Sequence, residues 1–469
     1  MRHASGSGIA AMPHVKGALT TSPHIVPTFQ AIPRLVSDPV TELARMGTDA
    51  SGQVVRLHLG PFRPYLVSHP DHVQQVLKTD WTNFVREGVF WRPLQRLIGQ
   101  SILGEGEAWA SARKILQPLF TARYTASLAE DMADIIAERI GELDDFARTG
   151  RPIDVEHQMT SIVNQAVIKV LFGGRITRET AEELAPEFAT CATSIGFRML
   201  FPFAPYSIRV PGDRAFLRSA KKIDEIVYPL IQQAQRENNN GKEVVSALLT
   251  ARLEKEGRAD LHQVRDDLVN IYGAASETTA MSLIWLWQVL HDHPQVNARL
   301  QEEVDRVVGG GPVRPSHVAE MPYLRMVLQE LLRVYPNAWV VPRQTVADTE
   351  IGGVRIEAGS QILISPYTTH RLEEFWPRPL EYDPERWADE KNGRRHRYAF
   401  IPFGLGPHVC LGQHLFYVEA SLVIANLMSK YRTVVANPQK LRPVPGGATL
   451  RPKQKLFLHL RPIERNRAA

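Results

Sequence analysis

The stretch Phe403-Gly-Leu-Gly-Pro-His-Val-Cys-Leu-Gly412 places three glycines, a proline and a cysteine close together. A run with helical periodicity follows directly and predicts an amphipathic helix from Gln413 to Tyr431. Cys410 is therefore predicted to lie at a helix N-terminus, where unpaired N–H groups and the positive end of the helix dipole favour an anion. We expect this cysteine to ionise readily and to bind a metal as a thiolate.

The glycines at 404, 406 and 412 are expected to leave room for a flat ligand over the sulfur, because side chains there would obstruct a close approach. The alternative is a free, buried cysteine in a glycine-rich turn, which is the common state of a lone cysteine. The chain has 17 Phe, 31 Gly and 2 Cys. With that composition, a chance match to Phe-x-x-Gly-x-x-x-Cys-x-Gly has odds of roughly three in 10⁴. The pattern therefore indicates a specific site.

This stretch resembles the haem-binding signature of the cytochrome P-450 family, with Phe403, Gly404, Cys410 and Gly412 at matching positions. The resemblance implies haem b as the cofactor and the Cys410 thiolate as the ligand of its iron. It also implies a mainly α fold with smaller β-sheets (α+β), in which a long central helix lies over the haem. The implied activity is the O2-dependent oxidation of a hydrophobic small molecule.

Two further motifs match the same family, Glu330-Leu-Leu-Arg333 and Pro384-Glu385-Arg386-Trp387. Residues three apart lie on one helix face, so Glu330 and Arg333 can form an ion pair. Without the resemblance, an exposed surface pair would be the ordinary explanation. The resemblance implies instead that Glu330, Arg333 and Arg386 form a triad that supports the haem loop.

The segment Tyr272-Gly-Ala-Ala-Ser-Glu-Thr-Thr279 lies in a run of helical periodicity from Leu261 to His293, which predicts a helix of roughly 50 Å. The segment resembles the oxygen-binding groove of the family, with Ala275 where glycine is usual. The resemblance implies that Thr278 hydrogen-bonds dioxygen or a water and that Glu277 passes protons inward. The alternative for Thr278 is a hydrogen bond to its own helix carbonyl.

Donors for the two haem propionates are also implied by the resemblance. Trp109-Ala-Ser-Ala-Arg113 matches a Trp-x-x-x-Arg element, and His408 stands where many members have arginine. Arg343 is a further matching donor. Buried carboxylates need such partners. The alternative for each cation is a solvated position on the surface.

The resemblance also implies a substrate pocket with an apolar wall. Ordinary core packing is the alternative for each of its side chains. Together they favour a hydrophobic, medium-sized substrate such as a terpenoid. The matching positions are Phe90, Trp91, Leu97, Met199, Leu200, Phe201, Asn270, Ala274, Ala338, Trp339 and Val340.

Composition narrows the setting in which the protein works. The chain has 55 basic and 50 acidic residues, which gives no indication of a nucleic-acid partner. Its two cysteines, Cys191 and Cys410, cannot form a disulfide framework and suit a reducing compartment. No signal-type apolar region and no run of about 18 apolar residues is found. We therefore expect a cytoplasmic protein without a membrane anchor.

Strand patterns occur at both ends of the helical middle of the chain. Alternation at 54–59 and 65–68 predicts a hairpin, and strand patterns return at 350–356 and 360–364. The early and late segments are therefore expected to share a sheet. One domain is expected over residues 36–462, after a loose lead-in at 1–35 and before a frayed tail at 463–469.

The leading prediction is a monooxygenase that receives electrons from a separate protein, because the chain ends too soon after Cys410 to hold a flavin domain. A ferredoxin with its reductase is the expected donor, docking on Lys114, Arg394, Arg395 and Arg397. The alternatives are a peroxide-using or rearranging haem-thiolate enzyme and a non-catalytic haem-binding sensor.

Overall fold

Helices make up most of the protein. The computed structural model describes residues 23–60, 62–99, 101–199, 205, 207–388, 395–446 and 449–463. The helices are α1 (Thr28–Ser37), α2 (Pro39–Asp49), α3 (Pro70–Gln74), α4 (Arg92–Ile98), α5 (Gly106–Leu116), α6 (Ala122–Gly141), α7 (Asp144–Thr149), α8 (Val155–Phe172), α9 (Arg178–Met199), α10 (Asp213–Arg236), α11 (Val244–Glu256), α12 (Leu261–Asp292), α13 (Pro294–Val308), α14 (Pro315–Ala319), α15 (Pro322–Val334), α16 (Pro366–Thr369) and α17 (Gln413–Lys430).

The strands are short and form small sheets. They are β1 (His24–Val26), β2 (Val55–Leu57), β3 (Tyr65–Val67), β4 (Phe84–Val85), β5 (Ile153–Asp154), β6 (Val341–Thr345), β7 (Thr349–Ile351), β8 (Val354–Ile356), β9 (Gln361–Ile364), β10 (Tyr431–Val435), β11 (Pro443–Gly446), β12 (Thr449–Pro452) and β13 (Phe457–Pro462). The largest sheet has the order β1-β2-β3-β9-β6-β4, a second has the order β10-β13-β5, and the pairs β11-β12 and β7-β8 stand apart.

The largest sheet joins distant parts of the chain. β2 and β3 form the predicted antiparallel hairpin, with Val55 opposite Leu66. β3 then pairs in parallel with β9, with Tyr65 opposite Ile362. The prediction that early and late segments share a sheet is confirmed.

Two details of the strands differ from the expectations. β1 pairs in parallel with β2, with the buried Val26 opposite Leu57, so regular structure begins inside the segment suggested as a loose lead-in. The pattern at 350–356 forms two strands, because Gly352 and Gly353 both adopt positive φ and turn the chain between them. Residues 1–22 and 464–469 lie outside the described residues, and the domain boundaries stay a prediction.

Local signals account for the limits of the helices that carry the site. α12 begins after Asp260, whose side chain accepts a hydrogen bond from the N–H of His262. It ends at Asp292, one residue before the predicted end at His293. α13 and α15 each begin with a proline, which has no N–H to leave unpaired at that position. α17 begins at Gln413 with Gly412 as its N-cap.

α12 lies in the centre of the apolar core and packs against α8, α10 and α17. Near its C-terminal end, Trp285 and Trp287 are fully buried. The indole N–H of Trp285 donates to the carbonyl oxygen of Leu450 over 3.0 Å, so its polar atom is satisfied inside the core. No helix that the structure describes has the length and apolar composition needed to cross a lipid bilayer.

A carboxyl group is buried where α17 meets α12. Glu419 is fully buried, and neither of its carboxylate oxygens has a hydrogen bond of ordinary geometry in the described part of the chain. Burial raises the pKa of Glu419 to about 8, and the nearby hydroxyl of Thr279 offsets only part of this shift. Glu419 is therefore mainly a neutral acid at pH 7.

This carboxyl group should make stability depend on pH. Between about pH 4.5 and pH 8 the native state keeps a proton that the unfolded state releases, so raising the pH favours unfolding. The free energy of unfolding should fall by up to about 1.4 kcal/mol per pH unit in that window. Glu419→Gln should remove this slope in urea titrations at several pH values. An unchanged slope in the variant would show that Glu419 is ionised in the native state.

Candidate active site

The loop that holds Cys410 is a series of tight turns closed by backbone hydrogen bonds. The N–H of Cys410 donates to the carbonyl oxygen of Phe403 over 2.9 Å, and the N–H of Gly404 donates to Ile401 over 3.0 Å. Residues Gly406–His408 form one 3-10 turn between these bonds. The cysteine side chain is thereby fixed just before α17.

Two glycines of this loop are required by its backbone turns. Gly404 and Gly406 have φ values of 74° and 70°, which other residues rarely adopt. A Cβ on Gly406 would also collide with the carbonyl oxygen of Leu77, whereas one on Gly404 would meet no atom within 4 Å. The turns therefore require Gly404 and Gly406, and Gly406 also packs against Leu77. The expectation that Gly404 and Gly412 leave room for a ligand stays a prediction, since a Cβ on either would meet no protein atom closer than 3.8 Å.

The thiol of Cys410 is less acidic than its place before a helix suggests. Its side chain keeps accessible surface, yet protein surrounds the sulfur on its other sides. Burial raises the pKa of Cys410, while the N–H of Gly412 and the charges of Arg113 and Arg86 lower it and offset only part of the shift. The expectation of ready ionisation is therefore wrong for the protein alone, because desolvation outweighs the helix terminus. A bound cation would be needed to favour the thiolate.

Buried cations gather beside this loop. Arg343 and Arg86 are both buried. Burial, followed by repulsion from Arg86, lowers the pKa of Arg343 to about 9. Burial is also the main reason why the pKa of Arg86 is lowered to about 10. Arg86 donates to the carbonyl oxygens of Ile102 and His408. Its Nε atom and the indole nitrogen of the buried Trp109 have no partner in the described part of the chain.

Glu105 is the anion that contacts this cluster. Burial by itself would raise the pKa of Glu105, but hydrogen bonds from His408 and from the N–H of Arg86 lower it to about 2. The Nε2 atom of His408 lies 3.2 Å from a carboxylate oxygen of Glu105. Burial lowers the pKa of His408, although this contact opposes the shift. The ring of His408 packs against Trp109 with centroids 4.2 Å apart.

These residues fit the propionate end of a haem. Three positive charges meet here, from Arg86, Arg343 and the half-buried Arg113. The carboxylate of Glu105 offsets part of this charge. Buried charges without counter-ions cost several kcal/mol each, and two propionates would supply the missing negative charge. The free N–H groups of Trp109 and Arg86 offer donors for them. Arg113 already donates to the carbonyl oxygen of Val409 over 2.6 Å, next to the cysteine.

The predicted triad is assembled in the interior. Glu330 and Arg333 are both fully buried, and Arg333 donates to both carboxylate oxygens over 2.8 and 2.9 Å. Arg386 donates to the same carboxylate over 3.2 Å, and the indole of Trp387 adds a bond of 3.0 Å. The alternative of an exposed surface pair is therefore wrong.

His370 connects this triad to the cysteine loop. It is fully buried, and burial followed by the charge of Arg333 lowers its pKa to about 3, so the ring is neutral. Its Nδ1–H lies 3.2 Å from the carbonyl oxygen of Arg333, and its Nε2 accepts the N–H of Ile401 over 2.9 Å. Because Ile401 in turn accepts the N–H of Gly404, the triad and the loop form one hydrogen-bonded unit.

The segment predicted as the oxygen groove lies in the middle of α12. Gly273 and Ala274 are exposed within an otherwise mostly buried helix, and Ala275 beside them is half-buried. The hydroxyl of Thr278 donates to the carbonyl oxygen of Ala274 over 2.9 Å, which is the local bond considered as an alternative. Its lone pairs remain able to accept a hydrogen bond. Glu277 accepts hydrogen bonds from Thr449 and Arg451.

Some of the predicted pocket residues lie together in the sheet region. Phe90, Trp339 and Val340 are half-buried and pack against one apolar cluster around β2 and β3. Ala338 beside them is also half-buried. Trp91 donates its indole N–H to the carbonyl oxygen of Pro342 over 3.1 Å and lies 5.4 Å from the guanidinium of Arg86, so it borders the cation cluster.

Two other predicted pocket residues are buried. Leu97 is buried in the main core, and Asn270 is buried and donates to the carbonyl oxygens of Ile98 and Asp266. The side chain of Asn270 thereby joins α12 to α4, and the part of both residues in a substrate pocket stays a prediction. Leu200 and Phe201 lie outside the described residues, as does the side chain of Met199.

Sequence reasoning does not find Arg86, Glu105, His370 or Arg451. Each joins the site through contacts between segments that lie far apart in the sequence, such as the contact of Glu105 with His408. A single arginine or glutamate outside a motif carries no signal of burial, and one sequence offers no other means of finding it.

The cysteine loop, the buried cations and the long α12 define a haem-thiolate protein. The family profile described as Cytochrome P450 matches residues 22–459, and the chain belongs to this family. It is a haem-thiolate monooxygenase with haem b as cofactor, and it uses O2 and electrons from a redox partner to oxidise a hydrophobic substrate.

Known relatives and structures resemble the chain over nearly its whole length. Cyclooctat-9-en-7-ol 5-monooxygenase of Streptomyces melanosporofaciens is 32% identical, with 91% of this chain and 90% of the relative covered. Pentalenene oxygenase of Streptomyces avermitilis is 27% identical, with 92% and 95% covered. The crystal structure of the cytochrome P450DA heme domain matches with a TM-score of 0.82 at 21% identity, covering 95% of this chain and 99% of that one, and shows the same fold.

The cation cluster predicts which residues retain the cofactor. Arg86→Gln should speed the transfer of haem to apomyoglobin by about tenfold, because a hydrogen bond to a charged group is worth about 1.5–3 kcal/mol. Arg92→Gln is the matched control, since Arg92 is exposed on the neighbouring α4. Equal transfer rates for the two variants would contradict a role for Arg86 in holding the cofactor.

Proposed function

We propose that this monooxygenase oxidises a terpenoid-type cyclic compound and receives its electrons from a ferredoxin and its reductase. The observation that carries the substrate class is the likeness to the two Streptomyces enzymes, whose names describe the oxidation of a cyclic alcohol and of an alkene. The exposed, apolar Gly273 and Ala274 on α12 and the half-buried Phe90 and Trp339 support it, since such surfaces suit a hydrocarbon.

The proposal assigns the cofactor contacts as follows. Cys410 supplies the thiolate to the iron, in a loop shaped by Phe403, Gly404 and Gly412. Arg86, Trp109, Arg113, Arg343 and His408 hold the propionates. Ala275 lies beside the oxygen groove, and Glu330, Arg333 and Arg386 support the loop. When bound, haem b supplies the iron at which dioxygen is reduced and cleaved with electron density from the thiolate.

Glu277 and Thr278 manage protons in this proposal. The hydroxyl hydrogen of Thr278 is engaged with Ala274, so the hydroxyl holds a water by accepting a hydrogen bond from it. The side chain of Glu277 is 26% exposed, and its proposed role is to pass protons inward from solvent. Together they deliver protons to the groove one at a time. The alternative of a peroxide-using or rearranging enzyme has no need of this pair, and neither has a sensor.

The redox partner is proposed to dock near the thiolate side. Lys114 and Arg397 are exposed there. Lys78 adds a third cation, since it follows Leu77, whose carbonyl oxygen lies against Gly406 of the cysteine loop. Arg395 does not suit this role, because its guanidinium packs on Trp376 and Trp387. Arg394 lies outside the described residues. A cytoplasmic location also stays a prediction, based on the two cysteines.

The function is tested with cyclooctat-9-en-7-ol and pentalenene. Either compound should shift the spin state of the oxidised protein, and turnover should require O2, a ferredoxin and its reductase. Cys410→Ala should abolish turnover and the far-red-shifted Soret band of the reduced carbon monoxide complex, because the thiolate is lost. Turnover with peroxide alone at the same rate would contradict the proposal, as would spin-state shifts with fatty acids but with neither cyclic compound.

Reversing two exposed charges should weaken docking of an acidic ferredoxin. The variant Lys114→Glu with Arg397→Glu should be reduced several-fold more slowly at low salt, and its rate should depend less on salt than that of the wild type. Lys453→Glu is the control, because Lys453 is exposed on the loop after β12. Substrate binding should be unchanged in both variants. A wild-type reduction rate in the double variant would place the docking surface elsewhere.

A further inference from the structure

The strand β12 holds the carboxylate of Glu277 by one of its two oxygens. The hydroxyl of Thr449 donates to Oε1 over 2.7 Å. Arg451 donates to the same oxygen from Nη2 over 2.7 Å and from Nε over 3.2 Å. No hydrogen bond within the described residues reaches Oε2.

The period of a β-strand explains why these two residues act together. Side chains at 449 and 451 point to the same face of β12, and Leu450 between them points to the other. Leu450 is fully buried, its carbonyl oxygen accepts the indole N–H of Trp285, and its N–H donates to the carbonyl oxygen of Asn337 over 3.0 Å. The strand is therefore fixed on both sides of the contact with Glu277.

The same bonds reach the turn of α12 that carries Thr278. The side-chain amide of Asn337 donates to the hydroxyl of Ser282 over 2.9 Å. Ser282 in turn donates to the carbonyl oxygen of Thr278 over 3.2 Å. Hydrogen bonds thus connect β12, through Asn337, to the turn of α12 that carries Glu277 and Thr278.

Both side chains of this ion pair are partly exposed. The side chain of Arg451 is 39% exposed and that of Glu277 is 26% exposed, so solvent reaches both. Glu156 on α8 also faces Arg451, but at 3.8 Å. The guanidinium therefore bonds mainly to Glu277, and its planar N–H groups hold the carboxylate in one orientation.

We propose that Arg451 and Thr449 are positioning residues that make Oε2 of Glu277 the oxygen that carries protons. Three donors occupy Oε1, so a proton binds at Oε2, where lone pairs are free. Oε2 takes one proton from a solvent water and gives one proton to a water on the groove side, which returns Glu277 to its anion while Arg451 keeps its protons. The proposal rests on the proton-transfer role proposed for Glu277.

The test compares Arg451→Gln, Thr449→Val and Glu277→Gln with the wild type, using cyclooctat-9-en-7-ol, a ferredoxin and its reductase. Arg451→Lys tests rescue of the charge, and Arg442→Gln is the control, since Arg442 is an exposed arginine before β11. The measurements are the share of electrons recovered in product and in peroxide, the solvent isotope effect on kcat, and substrate affinity from the spin-state shift.

Arg451→Gln and Thr449→Val should lower the product share several-fold, release more peroxide and raise the solvent isotope effect. Substrate affinity should stay within about twofold of the wild type, because neither residue is proposed to bind substrate. Arg451→Lys should restore part of the product share, and Arg442→Gln should match the wild type. Glu277→Gln should show the largest loss, about tenfold or more.

Two outcomes would overturn the positioning role while leaving the role of Glu277 intact. One is a wild-type product share in Arg451→Gln beside a clear loss in Glu277→Gln. The other is a loss of substrate affinity in Arg451→Gln as large as its loss of product share, without rescue by lysine, which would mean that β12 only shapes the pocket. A wild-type product share in Glu277→Gln would instead contradict the proton-transfer role itself.

Discussion

The buried carboxylate of Glu330 is the interaction on which the cysteine loop depends. Arg333, Arg386 and Trp387 all donate to it, and Arg333 also donates to the carbonyl oxygens of His370, Pro379 and Glu381. A buried ion pair contributes little net stability by itself, because desolvation offsets the attraction. Removing one member would leave the others charged in the interior at a cost of about 3–5 kcal/mol. The network therefore specifies one arrangement of the chain around it.

That arrangement reaches the sulfur through neutral groups. His370 accepts the N–H of Ile401 while its other nitrogen lies against the carbonyl oxygen of Arg333. Its pKa of about 3 keeps it uncharged beside two arginines, which would repel an imidazolium. The loop after Ile401 then closes through the Phe403 to Cys410 hydrogen bond.

The surroundings of the cysteine loop carry an excess of positive charge. The charges of Arg86 and Arg113 favour a negative sulfur at Cys410. Together with Arg343 they also attract carboxylates. The thiol nevertheless has a raised pKa, so the cation that ligates it must favour ionisation. On the distal side, Glu277 is held by Arg451 and Thr449, and Thr278 by its own helix. These hydrogen bonds fix the orientation of both side chains.

Much of this site could be predicted from local patterns. Helix faces and turns are set by residues that are close in sequence, so short segments are enough to predict them. This holds for the glycine-rich cysteine stretch, for the i,i+3 pair Glu330 and Arg333, and for the long run of helical periodicity that forms α12. The sheet shared by early and late strands followed from the same patterns, whereas the α+β class came from the resemblance to the family. What the sequence determined by its own patterns is therefore the cysteine stretch, the pair Glu330 and Arg333, and the central helix, while the resemblance added Arg386 to that pair. Only the tertiary structure decided which arginine is buried, whether the thiol is acidic, and which oxygen of Glu277 is free. Burial and pairing between distant segments are properties of the packed interior, where the loss of water changes the energy of every charge.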